Sequence, residues 1–156
     1  MSRRDPKIYL SGKMSGISLE EAMVWRNKFI NEYSKHTSFT PDIFNPPLYF
    51  NYEMPVEAFS DRECFRYEMR ILKTSDIVVV NLDQVETSIG SLQELAVAWA
   101  NDIPVIAVDE KHDTLEEAVE DMHPWLVEEI DKIFTGPDCY RAAATYIYSF
   151  YGGILT

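Results

Sequence analysis

Glu94 sits where an alternating strand-and-helix chain would place a reactive group. In Ser88-Ile89-Gly90-Ser91-Leu92-Gln93-Glu94-Leu95 a β-branched run has just ended, a Ser/Gly loop follows, and Glu94 falls at the start of the next helical pattern. Unpaired N–H groups at a helix start can hold a phosphate or hydroxyl oxygen, and the positive end of the helix dipole favours an ionised carboxylate. Such a carboxylate, properly oriented, can attack the anomeric carbon of a sugar as its base departs, because the transition state is cation-like at that carbon. The same residues also carry a structural reading. Ser91 with Glu94 three places on is a capping box, in which Glu serves stability alone. On these eight residues by themselves the structural reading stands ahead.

Other residues gain or lose weight by their company. Tyr9 closes a short β-like run and is followed by Ser11-Gly12; it could hydrogen-bond a nucleophile or simply be a buried strand tyrosine. Gly12 would let a ligand approach the backbone closely. Lys13 in the same loop could meet an anion or be solvated. Glu68, on the helix before the central strand, would supply a second carboxylate, and two carboxylates can divide proton-donor and nucleophile roles. Asp76 precedes the central strand, at the wrong end for a cleft, and reads as a structural turn residue. His123-Pro124-Trp125 has no second His or Cys at ligand spacing, so no metal is expected there. The two cysteines, Cys64 and Cys139, form neither a metal-ligand spacing nor a disulfide framework.

Bulk properties narrow the partners. A length of 156 residues suits one domain over 1–156, and 46% hydrophobic residues suffice for a core. A formal charge of −12 repels a polyanion, so polymeric nucleic acid is not an expected partner. A small anion remains compatible if a few basic groups share one cleft. No apolar run is long enough to span a bilayer, and the basic Met1-Ser2-Arg3-Arg4 start is not followed by a signal-like apolar stretch. The expectation is a cytoplasmic protein with no membrane partner. Aromatic residues, at 13%, fit a stacking pocket or, more commonly, core and subunit-interface packing.

The elements that must position these groups alternate. Strands are expected at Lys7–Leu10, Asp42–Asn45, Ile77–Leu82, Pro104–Val108 and Lys132–Phe134. Capping boxes at Ser18/Glu21, Ser60/Glu63 and Thr114/Glu117 open helices, the first reaching Tyr33 and the second Thr74. A helix over about 90–101 would turn Leu92, Leu95, Ala96 and Trp99 toward the sheet. Pro124–Glu129 reads as helical, and a last helix from Pro137 would end at Gly152-Gly153. Leu48–Phe59 reads as a loop over a site or a packed surface loop. The class is α/β: a doubly wound, mainly parallel five-stranded sheet of order 2-1-3-4-5, with helices on both faces. Ligands bind beyond the carboxyl ends of such strands where the winding reverses, so the loops 11–16 and 83–90 should meet at one cleft.

Taken in order, these segments resemble the nucleoside 2-deoxyribosyltransferase family, whose relatives include 2'-deoxynucleoside 5'-monophosphate N-glycosidases. The likeness rests on Ile8-Tyr9-Leu10-Ser11-Gly12, Ser75-Asp76-Ile77-Val78-Val79-Val80-Asn81, Ser88-Ile89-Gly90-Ser91 with Glu94-Leu95, and Phe150-Tyr151-Gly152-Gly153. It implies a Rossmann-like fold, Glu94 as nucleophile, Tyr9 as its positioner, and no cofactor. The family's usual aspartate eight places before Asp76 is replaced here by Glu68, which keeps the charge but moves the carboxylate. Ser88, six places before Glu94, matches the monophosphate-cleaving relatives, where serine suits a phosphate; Ser15 stands where those relatives carry a basic residue, with Lys13 nearby. Ser11, Gly12, Gly90 and Ser91 would line the substrate side. The resemblance further implies a homo-oligomer that shares its active site between subunits, with His123 as a contributor. Three activities follow as expectations: deoxyribosyl transfer between bases, hydrolysis of a deoxynucleoside monophosphate, or nucleotide binding without turnover. A purely structural oligomer is a weaker fourth.

Overall fold

The computed structural model describes residues 4–49 and 59–152. Five strands, β1 (Ile8–Ser11), β2 (Ile43–Phe44), β3 (Ile77–Asn81), β4 (Val105–Asp109) and β5 (Lys132–Thr135), form one sheet of order β2-β1-β3-β4-β5. All neighbouring pairs are parallel, with Tyr9 opposite Val78 and Val80 opposite Ala107. The expected fold class and strand order are therefore observed. β1, β3 and β4 are buried on both faces, as continuous β-branched runs require.

Helices α1 (Leu19–Ser34), α2 (Pro46–Tyr49), α3 (Asp61–Lys73), α4 (Ile89–Ala100), α5 (Leu115–Glu120), α6 (Pro124–Glu128) and α7 (Cys139–Tyr146) complete the structure. Ser18, Ser60 and Thr114 each accept a hydrogen bond from the backbone N–H three residues on, so α1, α3 and α5 start where their sequences place them. α1 and α7 cover one face of the sheet, burying Trp25, Phe29, Tyr33, Tyr140 and Ile147 against Ile8, Leu10, Val79 and Ile106. α3, α4 and α6 cover the other, where Leu72, Leu95, Ala98 and Leu126 meet Tyr9, Val78, Val80 and Ala107. Asp76 accepts hydrogen bonds from Arg4 and from the Lys7 N–H, a tie at the amino end of the sheet that agrees with a structural role.

Four local expectations differ from the structure. Pro46-Pro47 ends β2 but also opens α2, because proline is already set for a first helical turn and needs no N–H partner there. Leu48 and Tyr49 belong to that helix; the rest of the expected loop, 50–58, lies outside the described residues. The last helix begins at Cys139 rather than Pro137, because Gly136 takes a φ of 83° in the turn before it. It continues past Tyr146 as a wider π-type turn over Ile147–Tyr151.

The fourth difference matters most for the site. Of Leu92, Leu95, Ala96 and Trp99, α4 fully buries only Leu95; its buried set is Ser91, Glu94, Leu95 and Ala98, and Trp99 is 65% exposed. Both sets obey the i, i+3, i+4, i+7 spacing, so periodicity cannot choose between them. Ser88 decides. It caps the helix by accepting from the Ser91 N–H, and that start rotates Glu94 inward.

Candidate active site

Glu94 enters the interior from the second turn of α4, the sixth residue after its Ser88 cap. Ser91-to-Glu94 is therefore not a capping box, and Glu94 does not serve as a helix cap. The expectation that the helix start holds it ionised has no support, since the dipole effect fades beyond the first turn. The side chain is 6% exposed and lines a cavity of about 210 Å³. Leu10 and Gly12 from the end of β1, Met14 and Ser15 from the loop after it, Arg26 from α1, Pro46 from α2, Glu68 from α3, and Ser88 and Gly90 complete that lining.

The carboxylate has few supporters. Ser11 Oγ donates to Glu94 Oε1 at 3.0 Å. The Tyr9 hydroxyl is buried and reaches no hydrogen-bond partner of ordinary geometry, yet it lies close enough to favour the charged form of Glu94. Burial works the other way and dominates: with the like charge of Glu68 beside it, the Glu94 carboxyl is pushed up to about 7. Ser11 and the Arg26 cation only moderate that rise. Burial and the two carboxylates likewise drive the Tyr9 hydroxyl far above its usual range, so it remains a neutral donor. A carboxyl that titrates near neutrality can serve as a base or a nucleophile, or hold a proton, under ordinary conditions.

The other expected residues divide. Tyr9, Ser11, Glu68 and Glu94 converge, and Glu68 is half-buried at the cavity wall. A Cβ on Gly90 would stand 4.0 Å from Glu94 Oε1, so the absent side chain leaves the carboxylate's flank open. Gly12 has a packing role beside its place in the cavity wall. A Cβ there would lie 2.7 Å from the Trp25 ring, so glycine is needed for strand-to-helix packing as well as for the cavity wall. Ser88 faces the cavity, but its Oγ donates to Ser91 Oγ at 2.9 Å, and Ser91 is buried beneath it. Lys13 Nζ turns away and donates to Thr87 Oγ1 at 2.9 Å, lining a neighbouring groove with Trp25 and Tyr140. That bond joins the 11–16 and 83–90 loops, which do meet as expected.

His123 is not at the Glu94 cavity. It caps α6, its N–H donating to Glu86 and its ring nitrogen accepting from the Trp125 N–H, beside a recess with Leu92 and Leu126. Among the described residues no group of three or more His, Cys, Asp or Glu side chains is placed to hold a metal. No helix among them is long and apolar enough to cross a membrane.

With this geometry in hand, comparison with known proteins gives one kind of match. No protein-family model matches the sequence. No curated protein matches it either. Among solved structures, a conserved protein from Enterococcus faecalis V583 superposes with a TM-score of 0.69 at 17% identity, over 94% of this chain and 99% of that one. A 2-deoxyribosyltransferase from the psychrotolerant bacterium Bacillus psychrosaccharolyticus superposes with a TM-score of 0.57 at 15% identity, over 81% of this chain and 84% of that one. At such identities the likeness establishes a shared Rossmann-like fold.

Arg26, Met14 and Pro46 line the cavity without having been singled out in the sequence. Arg26 did carry a signal. It falls within the buried stripe Ala22, Trp25, Arg26, Phe29, Tyr33 of α1, where a charge is out of place among apolar side chains. Met14 and Pro46 carried none, because only the folding of β1 against α2 brings them together.

Proposed function

We propose that the protein cleaves the N-glycosidic bond of a 2'-deoxynucleoside and passes the deoxyribosyl group to another base. The observation that carries this reading is Glu94: a nearly buried carboxyl that titrates near neutrality, held by Ser11, opening on a small cavity that also presents Glu68. The solved 2-deoxyribosyltransferase of the same fold adds weight. A Glu94 oxygen attacks C1' from the face opposite the base. The C1'–N bond breaks, its electron pair leaves with the base, and the base takes up the proton that the two neighbouring carboxyls share, carried on Glu68 when Glu94 is the ionised partner. Tyr9 and Ser11 hold the attacking carboxylate in line. A second base then attacks C1', releases the Glu94 carboxylate, and returns a proton to Glu68. Glu94 forms and releases the bond to C1', and the proton given to the leaving base is replaced by the one the acceptor base gives up.

An unphosphorylated substrate is the better fit. The groups that would have met a 5'-phosphate are otherwise engaged, Ser88 Oγ with Ser91 and Lys13 with Thr87. Homo-oligomerisation belongs to the same proposal. Ile89, Trp99 and Trp125 are 74%, 65% and 78% exposed, apolar side chains suited to a subunit contact that would carry His123 toward a neighbouring cavity.

The test is a product assay. The protein is incubated with a deoxynucleoside and a different free base, and in parallel with deoxynucleoside monophosphates, and the products are resolved by chromatography. A new deoxynucleoside is expected in the first reaction, and a Glu94 ester should be visible by intact-protein mass spectrometry when no acceptor is added. Deoxyribose 5-phosphate from the second reaction alone would reassign the activity to hydrolysis. Thermal stabilisation by nucleosides with no product would leave only a binding module.

A further inference from the structure

A buried guanidinium stands behind the Glu94 cavity. Arg26 is 0% exposed in the middle of α1, and an interior charge is tolerated only when its donors are satisfied. Its Nε donates to the Ala22 carbonyl of its own helix at 3.0 Å. One terminal nitrogen donates to the Leu10 carbonyl at 3.0 Å and to Asn45 Oδ1 at 3.3 Å. The other donates to the Gly12 carbonyl at 3.1 Å. Leu10 and Gly12 flank Ser11, whose hydroxyl holds Glu94. Asn45, itself buried, precedes Pro46 at the cavity wall. One side chain therefore ties the end of β1 and the start of α2 to α1.

We propose that Arg26 is a positioning residue for Glu94: its fork fixes the peptides on both sides of Ser11, and its cation is the charge against which the Glu94 carboxylate is held. The proposal rests on Glu94 being the working carboxylate. The guanidinium donates to three carbonyls and an amide oxygen, and it stands in the wall of the Glu94 cavity. Glu94 is faced by Tyr9 and Ser11 from β1, Arg26 from α1 and Glu68 from α3; of these Arg26 is the cation, and it eases the ionisation that burial and Glu68 resist. Lysine would keep a charge there but lacks the planar fork that spans two carbonyls.

The experiment follows Glu94 directly, by carbon-13 NMR titration of glutamate carboxyls, with the Glu94 signal assigned through Glu94→Gln. In folded Arg26→Gln the Glu94 midpoint should rise, and the acid limb of activity should rise with it. Arg26→Lys should move the midpoint less while lowering kcat more than it changes KM, because the charge stays and the peptide geometry does not. Asn45→Asp offers a second route if Arg26→Gln does not fold. The new carboxylate would draw off the Arg26 charge and raise the Glu94 midpoint in the same direction. A Glu94 midpoint unchanged in folded Arg26→Gln, or in Asn45→Asp, overturns the proposal. Because the titration needs no turnover, a protein that releases no base but whose Glu94 follows Arg26 would sink the glycosidic reading and leave the positioning role standing.

Discussion

Two carboxylate clusters stand at the carboxyl edge of this sheet, and their surroundings differ. At the end of β4, Asp109 is buried but well served. Its oxygens accept from the backbone N–H groups of Lys111 and His112, and the His112 ring bridges it to Asp121 at 2.7 and 2.5 Å. Those hydrogen bonds, first to Asp121 and then to Asp109, raise His112 above its ordinary range, so acids and base complete one another. At the end of β1, Glu94 has a single conventional donor, a like charge for a neighbour, and a cavity in front of it. The first cluster is a satisfied network that ties the β4–α5 loop to α5. The second holds a carboxyl that burial pushes up toward neutrality beside open space, the setting in which the proposed chemistry would act.

The contrast can be broken experimentally. Glu94→Gln keeps the shape and removes the charge, and base release should fall by at least about a thousandfold while the fold persists; product formation near the wild-type level would remove the comparison altogether. The next effect is on stability against pH. A carboxyl raised from 4.5 to about 7 binds its proton more tightly folded than unfolded. Its contribution, roughly 3 kcal/mol, is present below pH 4.5 and lost as pH rises through about 7. Activity should climb over the same window in which stability declines. Denaturant unfolding at pH values between about 4.5 and 7 should show that slope in the wild type and lose it in Glu94→Gln.

Two smaller effects sharpen the contrast. Ser11→Ala deletes the conventional donor to Glu94 and should move the acid limb of activity to higher pH, lowering the rate at neutrality about tenfold with little change in KM. His112→Gln should lower the melting temperature by a few degrees and leave base release unchanged. The raised His112 adds stability below its ordinary range that is lost as pH rises through its folded value, so the loss in this variant should be largest in acid. A drop in base release with intact folding would join the second cluster to the site.

Much of this was legible in the chain. The β-branched run at Ile77–Asn81 can be satisfied only by a strand covered on both faces, and the caps at Ser18, Ser60 and Thr114 are local contacts that need nothing distant. Tyr9, Ser11 and Glu94 could be singled out because strand ends and the helices that follow them face one edge in such a sheet, while Glu68, in the middle of α3, stood out as a second carboxylate and by the family resemblance.

The amino acids by themselves determined the strands, most helix starts and the α/β class, since these follow from short-range sterics, capping and the alternation of elements; the strand order is not written in them and rests on the usual topology of such sheets. Tertiary packing decided which face of an apolar helix turned inward, because Leu92-Ala96-Trp99 and Ser91-Leu95-Ala98 satisfy the same period until the Ser88 cap sets the rotation. It also decided that Lys13 would bond Thr87 and that Arg26 would be drawn under the β1 loop. Those outcomes depend on oxygens supplied by distant segments, and no local pattern encodes where such oxygens will stand.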